Sequence, residues 1–235
     1  MIFRGWQKTS LIEYPGRIST VLFVGSCNFR CPFCYNRDLV LSPEKMRAID
    51  EREVLGYMRE NKRLYQAVIV TGGEPTIDKE LPSFLLKVKR LGLLAGIETN
   101  GTNPAMLERL IKDKVVDFVG MDIKAPLSWD EYRKAAGISE KALLESVKKS
   151  VSLLLGSGID YEFRTTYVRG IHDEGSIKRI AEQLRGARRY VLQKFLPKNT
   201  IDGSLSLTPN YGSGQLLRLR KSIKGNFVEC EVRNV

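Results

Sequence analysis

The sequence predicts an α/β fold: a parallel sheet with outer helices, curled into a partial (β/α)6 barrel. Three observations point there. Short apolar runs alternate with longer amphipathic ones, the βαβα rhythm of a parallel sheet. Six such strand–helix units fit within 235 residues, fewer than the eight that close a barrel. The glycine, cysteine and charged residues that interrupt the apolar pattern fall at or just after the ends of the predicted strands, the rim where barrels assemble their sites.

The elements follow in order. Residues 18–24, Ile-Ser-Thr-Val-Leu-Phe-Val, are β-branched and aromatic enough for a first buried strand. Residues 51–62 space apolar positions at helical intervals among charges. Residues 67–70, Ala-Val-Ile-Val, are continuously apolar, as a strand covered on both faces must be. A helix over 79–91 is followed by Gly92, where a C-terminal cap glycine belongs. Strands at 93–98, 115–122, 160–168 and 190–195 alternate with helices at 104–112, 140–155 and 174–184. Pro104 suits the first turn of its helix, and Ser42 and Ser139 are N-cap candidates. Residues 209–224 read as a helix, and 227–232 alternate apolar and polar like a strand. The division is one domain over 1–235: an N-terminal extension (1–17), the core partial barrel (18–196) and a C-terminal extension (197–235).

Composition narrows the classes. The chain is 43% hydrophobic, enough for a substantial core. No stretch approaches the ~20 apolar residues that span a bilayer, and the opening Met1-Ile2-Phe3-Arg4-Gly5-Trp6 lacks a secretory apolar region. A cytoplasmic, reducing location with no membrane partner is the expectation. The net charge of +11 is of the kind that meets acidic partners, nucleic acid or an acidic protein surface, but solubilising helix faces are the preferred reading of it. Aromatic and basic residues do not interleave as in a single-strand binder. No phosphate-binding P-loop is present.

The chemistry concentrates in Cys27-Asn28-Phe29-Arg30-Cys31-Pro32-Phe33-Cys34. The spacing C-x3-C-x2-C places three thiolates on one short loop. An iron–sulfur cube takes four cysteine thiolates, so three leave one iron open to a small molecule. The competing reading is a zinc site closed by the remote Cys230, but zinc hooks come in pairs, and Cys230 in its alternating strand reads as a packed thiol. His172, the single histidine, reads as a loop or capping residue.

The cysteine loop with its aromatics Phe33 and Tyr35, and Gly72-Gly73-Glu74-Pro75 after the second strand, resemble the signatures of the radical S-adenosylmethionine (SAM) superfamily. The opening Gly5-Trp6-Gln7-Lys8-Thr9-Ser10-Leu11-Ile12-Glu13-Tyr14-Pro15-Gly16-Arg17 extends the resemblance to the activating proteins of anaerobic ribonucleoside-triphosphate reductase, and more broadly to glycyl-radical-enzyme activases. Where many such activases have histidine after the third cysteine, this chain has Tyr35.

The resemblance implies a barrel of the radical SAM type and a 4Fe-4S cluster on Cys27, Cys31 and Cys34. SAM then lies against Phe33, Tyr35, Gly72, Gly73, Glu74, Thr99, Asn100, Asp122, Lys124, Arg164 and Gln193. Gly73 meets the methionyl amine, Glu74 orients the turn, and a monovalent cation bridges Asp122, Thr99 and SAM. An electron from flavodoxin or ferredoxin enters the cluster, SAM is cleaved to a 5′-deoxyadenosyl radical, and that radical takes hydrogen from a glycine of the partner reductase. Two other readings stay open: a radical SAM enzyme acting on a small molecule or RNA, and a non-catalytic metal or iron–sulfur protein.

Overall fold

The computed structural model describes residues 1–234. The first strands are β1 (Ile2–Phe3), β2 (Gly5–Ser10), β3 (Ser19–Val24), β4 (Ile49–Asp50) and β5 (Ala67–Gly72). They are followed by β6 (Leu94–Thr99), β7 (Phe118–Asp122), β8 (Asp160–Tyr167), β9 (Arg189–Lys194) and β10 (Glu229–Arg233). The helices are α1 (Arg37–Leu41), α2 (Glu51–Glu60), α3 (Leu81–Arg90), α4 (Pro104–Lys112), α5 (Trp129–Ala136), α6 (Lys141–Leu155), α7 (Glu174–Gln183) and α8 (Ser213–Ile223). Each of the six expected core strands is present as one of β3, β5, β6, β7, β8 and β9.

The sheet has eight strands in the order β10-β9-β8-β7-β6-β5-β3-β2. The six core strands and β10 run parallel. β2, from the N-terminal extension, pairs antiparallel with β3. β2 and β10 do not meet, so the barrel stays open. A separate antiparallel ribbon joins β1 to β4.

The sequence reading missed β1, β2, β4, α1 and α5. The cause is physical: Gly-Trp-Gln-Lys-Thr-Ser is a largely exposed edge strand, and its weak apolar signal comes from pairing rather than burial. α5, Trp-Asp-Glu-Tyr-Arg-Lys-Ala-Ala, is short and mostly polar, and buries only Tyr132, Ala135 and Ala136. The cap expectations were also corrected. Ser42 precedes a short 3-10 turn without a side-chain bond. α6 starts after Glu140 rather than from Ser139. The caps that do bond are Asp50 on α2, Asn103 on α4 and Asp173 on α7, the last with Ser176 in a reciprocal pair.

Two cores sandwich the sheet. Helices cover one face with a continuous apolar cluster that includes Phe3, Val68, Val70, Phe84 and Leu107. The opposite face carries a smaller cluster of Tyr14, Val21, Ala67, Ile69 and Phe118. Side chains alternate faces along a strand, so the register continues this second face upward through Phe23, Thr71, Glu98, Gly120 and Asp122. Asp122 pairs with Arg164, and Thr166 with Gln193. Apolar residues thus fill the lower part of this face, and polar residues take over toward the strand ends. No helix among the described residues is long and apolar enough to cross a membrane.

Phe3 meets Phe84 edge to face, with ring centroids 4.9 Å apart, and anchors the N-terminus to α3. Phe3→Ala should cost about 3–5 kcal/mol in urea unfolding, the range for a fully buried phenylalanine. A loss below 1 kcal/mol would show that the anchor is dispensable.

Candidate functional site

A cavity opens at the C-terminal ends of the strands. It is lined by Cys27, Cys31, Phe33, Cys34, Tyr35, Gly72, Gly73, Thr99, Asn100, Asp122, Lys124, Arg164 and Gln193, all singled out from the sequence. Glu13, Asn36, Thr71, Glu98 and Thr166 also line it.

Glu74 is the exception among the sequence candidates. It is fully buried behind the cavity wall. Its carboxylate accepts bonds from the Thr76 amide and hydroxyl, the Thr99 hydroxyl and the Asn100 amide. It therefore ties the end of β6 to the turn after β5 and has no side-chain atom free for a ligand. Its place among the ligand contacts is corrected on that ground, and the turn-orienting role is the one the geometry fits.

The two glycines also serve a neighbour as much as the cavity. Gly73 donates to Val24, and Glu74 to Ser26, from the strand end that leads into the cysteine loop. A Cβ on Gly73 would overlap the Ser26 carbonyl. Gly72 has φ +111°, outside the range comfortable for other residues. Asn36 donates to the Gly72 carbonyl at 3.0 Å. The turn and the cysteine loop are thus one packed unit.

The cysteine loop is held at several points. Cys31 Sγ donates to the Ala136 carbonyl at 3.7 Å, and the Arg30 amide bonds the same carbonyl, which ends α5. The Ile201 amide donates to the Cys34 carbonyl, and that of Asp202 to Pro32. Asn100 Nδ2 donates to Asn28 Oδ1 at 2.8 Å and lies 3.8 Å from Cys27 Sγ. Asn28 in turn donates to the Thr102 hydroxyl at 2.7 Å. Asn28 was missed in the sequence, and its one signal was its place beside Cys27.

Burial pushes the thiols up, Cys27 to about 11 and Cys31 to about 12, with Cys34 raised as well. A buried thiolate needs a cation, and a metal group supplies one. The donor set fits a cluster: three soft sulfurs, no fourth. Zinc through Cys230 does not fit, because that thiol is buried in β10 and is absent from the cavity wall. Among the described residues, no three of His, Cys, Asp and Glu are drawn tightly enough to hold a single ion.

The cavity floor is a charge lattice. Arg164 is 4% exposed. Its Nη1 lies 2.5 Å from Glu98 Oε1, and its Nε 3.1 Å from Asp122 Oδ1. Lys124 Nζ reaches the other Asp122 oxygen at 2.7 Å. Thr71 donates to Glu98 Oε2 at 2.7 Å. Gly120 lies under the guanidinium, where a Cβ would come 3.2 Å from its central carbon. Opposite charges therefore hold Glu98 and Asp122 below the usual carboxylate range against the burial that opposes it.

Glu13 is the fifth ionisable group of this set. Burial and the adjacent Glu98 push its carboxyl up to about 8, while Arg164 Nη1, 3.7 Å from Glu13 Oε2, works the other way. Both Asp122 oxygens are already met by protein cations, Arg164 and Lys124. The expected cation bridge has no support in the geometry.

The family model for the radical SAM superfamily matches residues 21–184. The chain belongs to the radical SAM superfamily. Membership implies a 4Fe-4S cluster and SAM binding. A protein of Methanocaldococcus jannaschii named as a glycyl-radical enzyme activating enzyme is 30% identical, over 96% of this chain and 93% of its own. The pyruvate formate-lyase-activating enzyme of Clostridium pasteurianum is 25% identical over 83% of this chain and 81% of its own. An S-adenosylmethionine-dependent nucleotide dehydratase and a 7-carboxy-7-deazaguanine synthase match 69% and 53% of this radical SAM chain. The crystal structure of Streptococcus suis SuiB bound to S-adenosylmethionine superposes with a TM-score of 0.68 at 15% identity, over 90% of this chain. This chain spans about half (51%) of that one, and the likeness speaks to the fold alone.

Two outcomes follow. Gly73→Ala should displace Ser26 and lower iron retained after reconstitution as well as SAM affinity; full iron with only SAM affinity reduced would place the strain elsewhere. For Glu13, the folded carboxyl titrates above its unfolded value of 4.5, so its contribution is complete below pH 4.5 and is lost as pH rises through about 8. Glu13→Gln should therefore gain urea stability relative to the parent steadily from pH 5 to 8. A constant gap across that range refutes the assignment.

Proposed function

We propose that this chain is a radical SAM activase that generates a glycyl radical on a partner enzyme, an anaerobic ribonucleoside-triphosphate reductase. One observation carries the radical SAM chemistry: three thiols, the Gly72-Gly73 turn and an ion-paired polar floor share one cavity. The activase assignment draws its support from the near full-length likeness to proteins named for that task and from the opening segment through Arg17.

In this reading Cys27, Cys31 and Cys34 would hold the 4Fe-4S cluster, with flavodoxin or ferredoxin as the electron donor. When bound, the cluster supplies the electron that cleaves SAM reductively and so yields the 5′-deoxyadenosyl radical. The remaining work is positioning. Gly72 and Gly73 offer backbone groups to the amino-acid end of SAM. Thr99 and Asn100 flank that end. Asp122 and Gln193 offer acceptors for hydroxyls. Phe33 and Tyr35 supply apolar contact. Lys124 approaches as a cation already paired with Asp122.

Arg164 acts mainly through Glu98 and Asp122, whose oxygens it fixes. The sheet stays open between its edge strands β2 and β10, and a half-open barrel suits a macromolecular substrate whose loop enters through that gap. The chain works as a single domain, with both extensions contributing strands.

A second reading, chemistry on a nucleotide or RNA, draws on the +11 charge and on the nucleotide-directed names among the shorter matches.

The test is anaerobic reconstitution with iron and sulfide, then dithionite and SAM, with 5′-deoxyadenosine quantified beside Cys31→Ala. The parent should form product, and the variant should lose both product and bound iron. Adding the reductase should then give a glycyl-radical EPR doublet. SAM cleavage with no doublet, but with RNA binding that weakens steeply with salt, would favour the second reading. No cleavage by a verified cluster-loaded protein, with or without the reductase, would sink both.

A further inference from the structure

His172 is the chain's single histidine, and it lies 3% exposed just outside the cavity. The radical SAM chemistry gives it no role. Its surroundings give it one.

The ring is bonded on both sides. Nδ1 accepts from the Val168 amide at 3.1 Å. An acceptor nitrogen carries no proton, so the proton is on Nε2. Nε2 then donates to the Lys124 carbonyl at 2.7 Å. Both partners are backbone groups just past strand ends, Lys124 beyond β7 and Val168 beyond β8. The turn between Val168 and His172 is closed by the amides of Ile171 and His172, both donating to the Val168 carbonyl. The ring is thus rigidly mounted on one strand's exit and reaches across to the next.

Two further contacts make it a junction. Phe33 of the cysteine loop meets the ring edge to face, with centroids 6.0 Å apart. Tyr211 donates its hydroxyl to the His172 carbonyl at 2.7 Å. Tyr211 also stacks on Tyr167 at 4.0 Å and 5°.

The segment it clamps is the one that presents Lys124. Ile123 donates to the Arg164 carbonyl and accepts from the Thr165 hydroxyl. The ladder between β7 and β8 therefore continues one residue past the strand. His172 adds the next rung. Without it the Lys124 carbonyl would lose the bond that fixes the peptide plane from which Lys124 reaches Asp122.

We infer that His172 is a positioning residue for SAM: a neutral imidazole spanning Val168 and Lys124 that sets the direction of the Lys124 side chain into the cavity. The inference rests on the reading that this cavity binds SAM. Lys124 lines the cavity and Val168 does not, so the Nε2 bond is the one that matters for the ligand.

The two bonds can be removed separately. Glutamine places an amide N–H near the position of Nε2, and asparagine places an oxygen near Nδ1. Phenylalanine keeps a ring and removes both bonds. Three variants, His172→Gln, His172→Asn and His172→Phe, are compared with the parent as cluster-loaded protein, measuring SAM affinity by equilibrium dialysis, iron content and thermal midpoint. The Phe and Asn variants should bind SAM about tenfold more weakly, the effect of one well-placed hydrogen bond, with iron content unchanged. The Gln variant should recover most of that loss. A purely structural role would move the thermal midpoint without this split between Gln and Asn.

The ¹⁵N spectrum of the parent, with one imidazole to observe, should show the neutral Nε2-protonated tautomer; the other tautomer or an imidazolium at neutral pH overturns the inference. So does SAM binding by the Phe and Asn variants equal to the parent's. If SAM affinity falls only in step with iron, His172 acts through Phe33 and the cysteine loop, and the Lys124 route is wrong. A cluster-loaded parent that binds no SAM overturns the reading of the cavity and this inference with it.

Discussion

A buried guanidinium is costly unless its charge is met on the spot, and Arg164 imposes that condition on three strands at once. It requires Glu98 from β6 and Asp122 from β7, both at hydrogen-bonding distance, and it requires Gly120 to leave room beneath it. Those demands are compatible only in a parallel register that brings Asp122 level with Arg164. A slip of one residue would turn the whole set toward the helices. The electrostatics of the site and the register of the sheet therefore enforce one another. Lys124, paired with Asp122, and Glu13, whose carboxyl burial and Glu98 push up, complete the floor.

Around that floor the loops are secured mostly by backbone bonds. The turn after β5 packs onto the strand end before Cys27. Asn100 links the end of β6 to the same loop, and residues 201 and 202 grip its far side. Glu74, with four donors around it, is the knot of this arrangement. It is a carboxylate kept inside by hydrogen bonds alone, for no cation touches it. Burial works to neutralise it, and the bonds from Asn100, Thr76 and Thr99 work to keep it charged. Substitutions at Glu74 should be read as changes to loop geometry.

The sequence made the core strands legible because parallel strands are buried on both faces and so read as unbroken apolar runs. The thiol spacing and the Gly72-Gly73 turn were legible because few structures use such residues so densely. What escaped notice had weaker local signals. β2 is an edge strand with exposed polar residues, and its place depends on a partner nine or more residues away. α5 shows its importance through contacts with a distant loop: its last carbonyl meets Arg30 and Cys31, and Tyr132 packs on Phe29. The inward turn of Glu13 follows from the packing of Tyr14 on Phe118, with rings 5.0 Å apart, a contact between distant parts of the chain. Glu74 orients its turn, as the motif suggested, and Arg164 meets anionic protein partners in the cavity wall.

The odd carboxyl in the floor has a thermodynamic consequence. Burial, and then the neighbouring Glu98, push the Glu13 carboxyl up to about 8. Any ligand that brings positive charge near it must favour the ionised form and draw its titration downward. Linkage then makes uptake of such a ligand near pH 7 release a fraction of a proton to solvent, and makes its affinity rise with pH until Glu13 is ionised in the empty cavity as well. The floor behaves as a buffer of one equivalent, able to match the charge of what it receives.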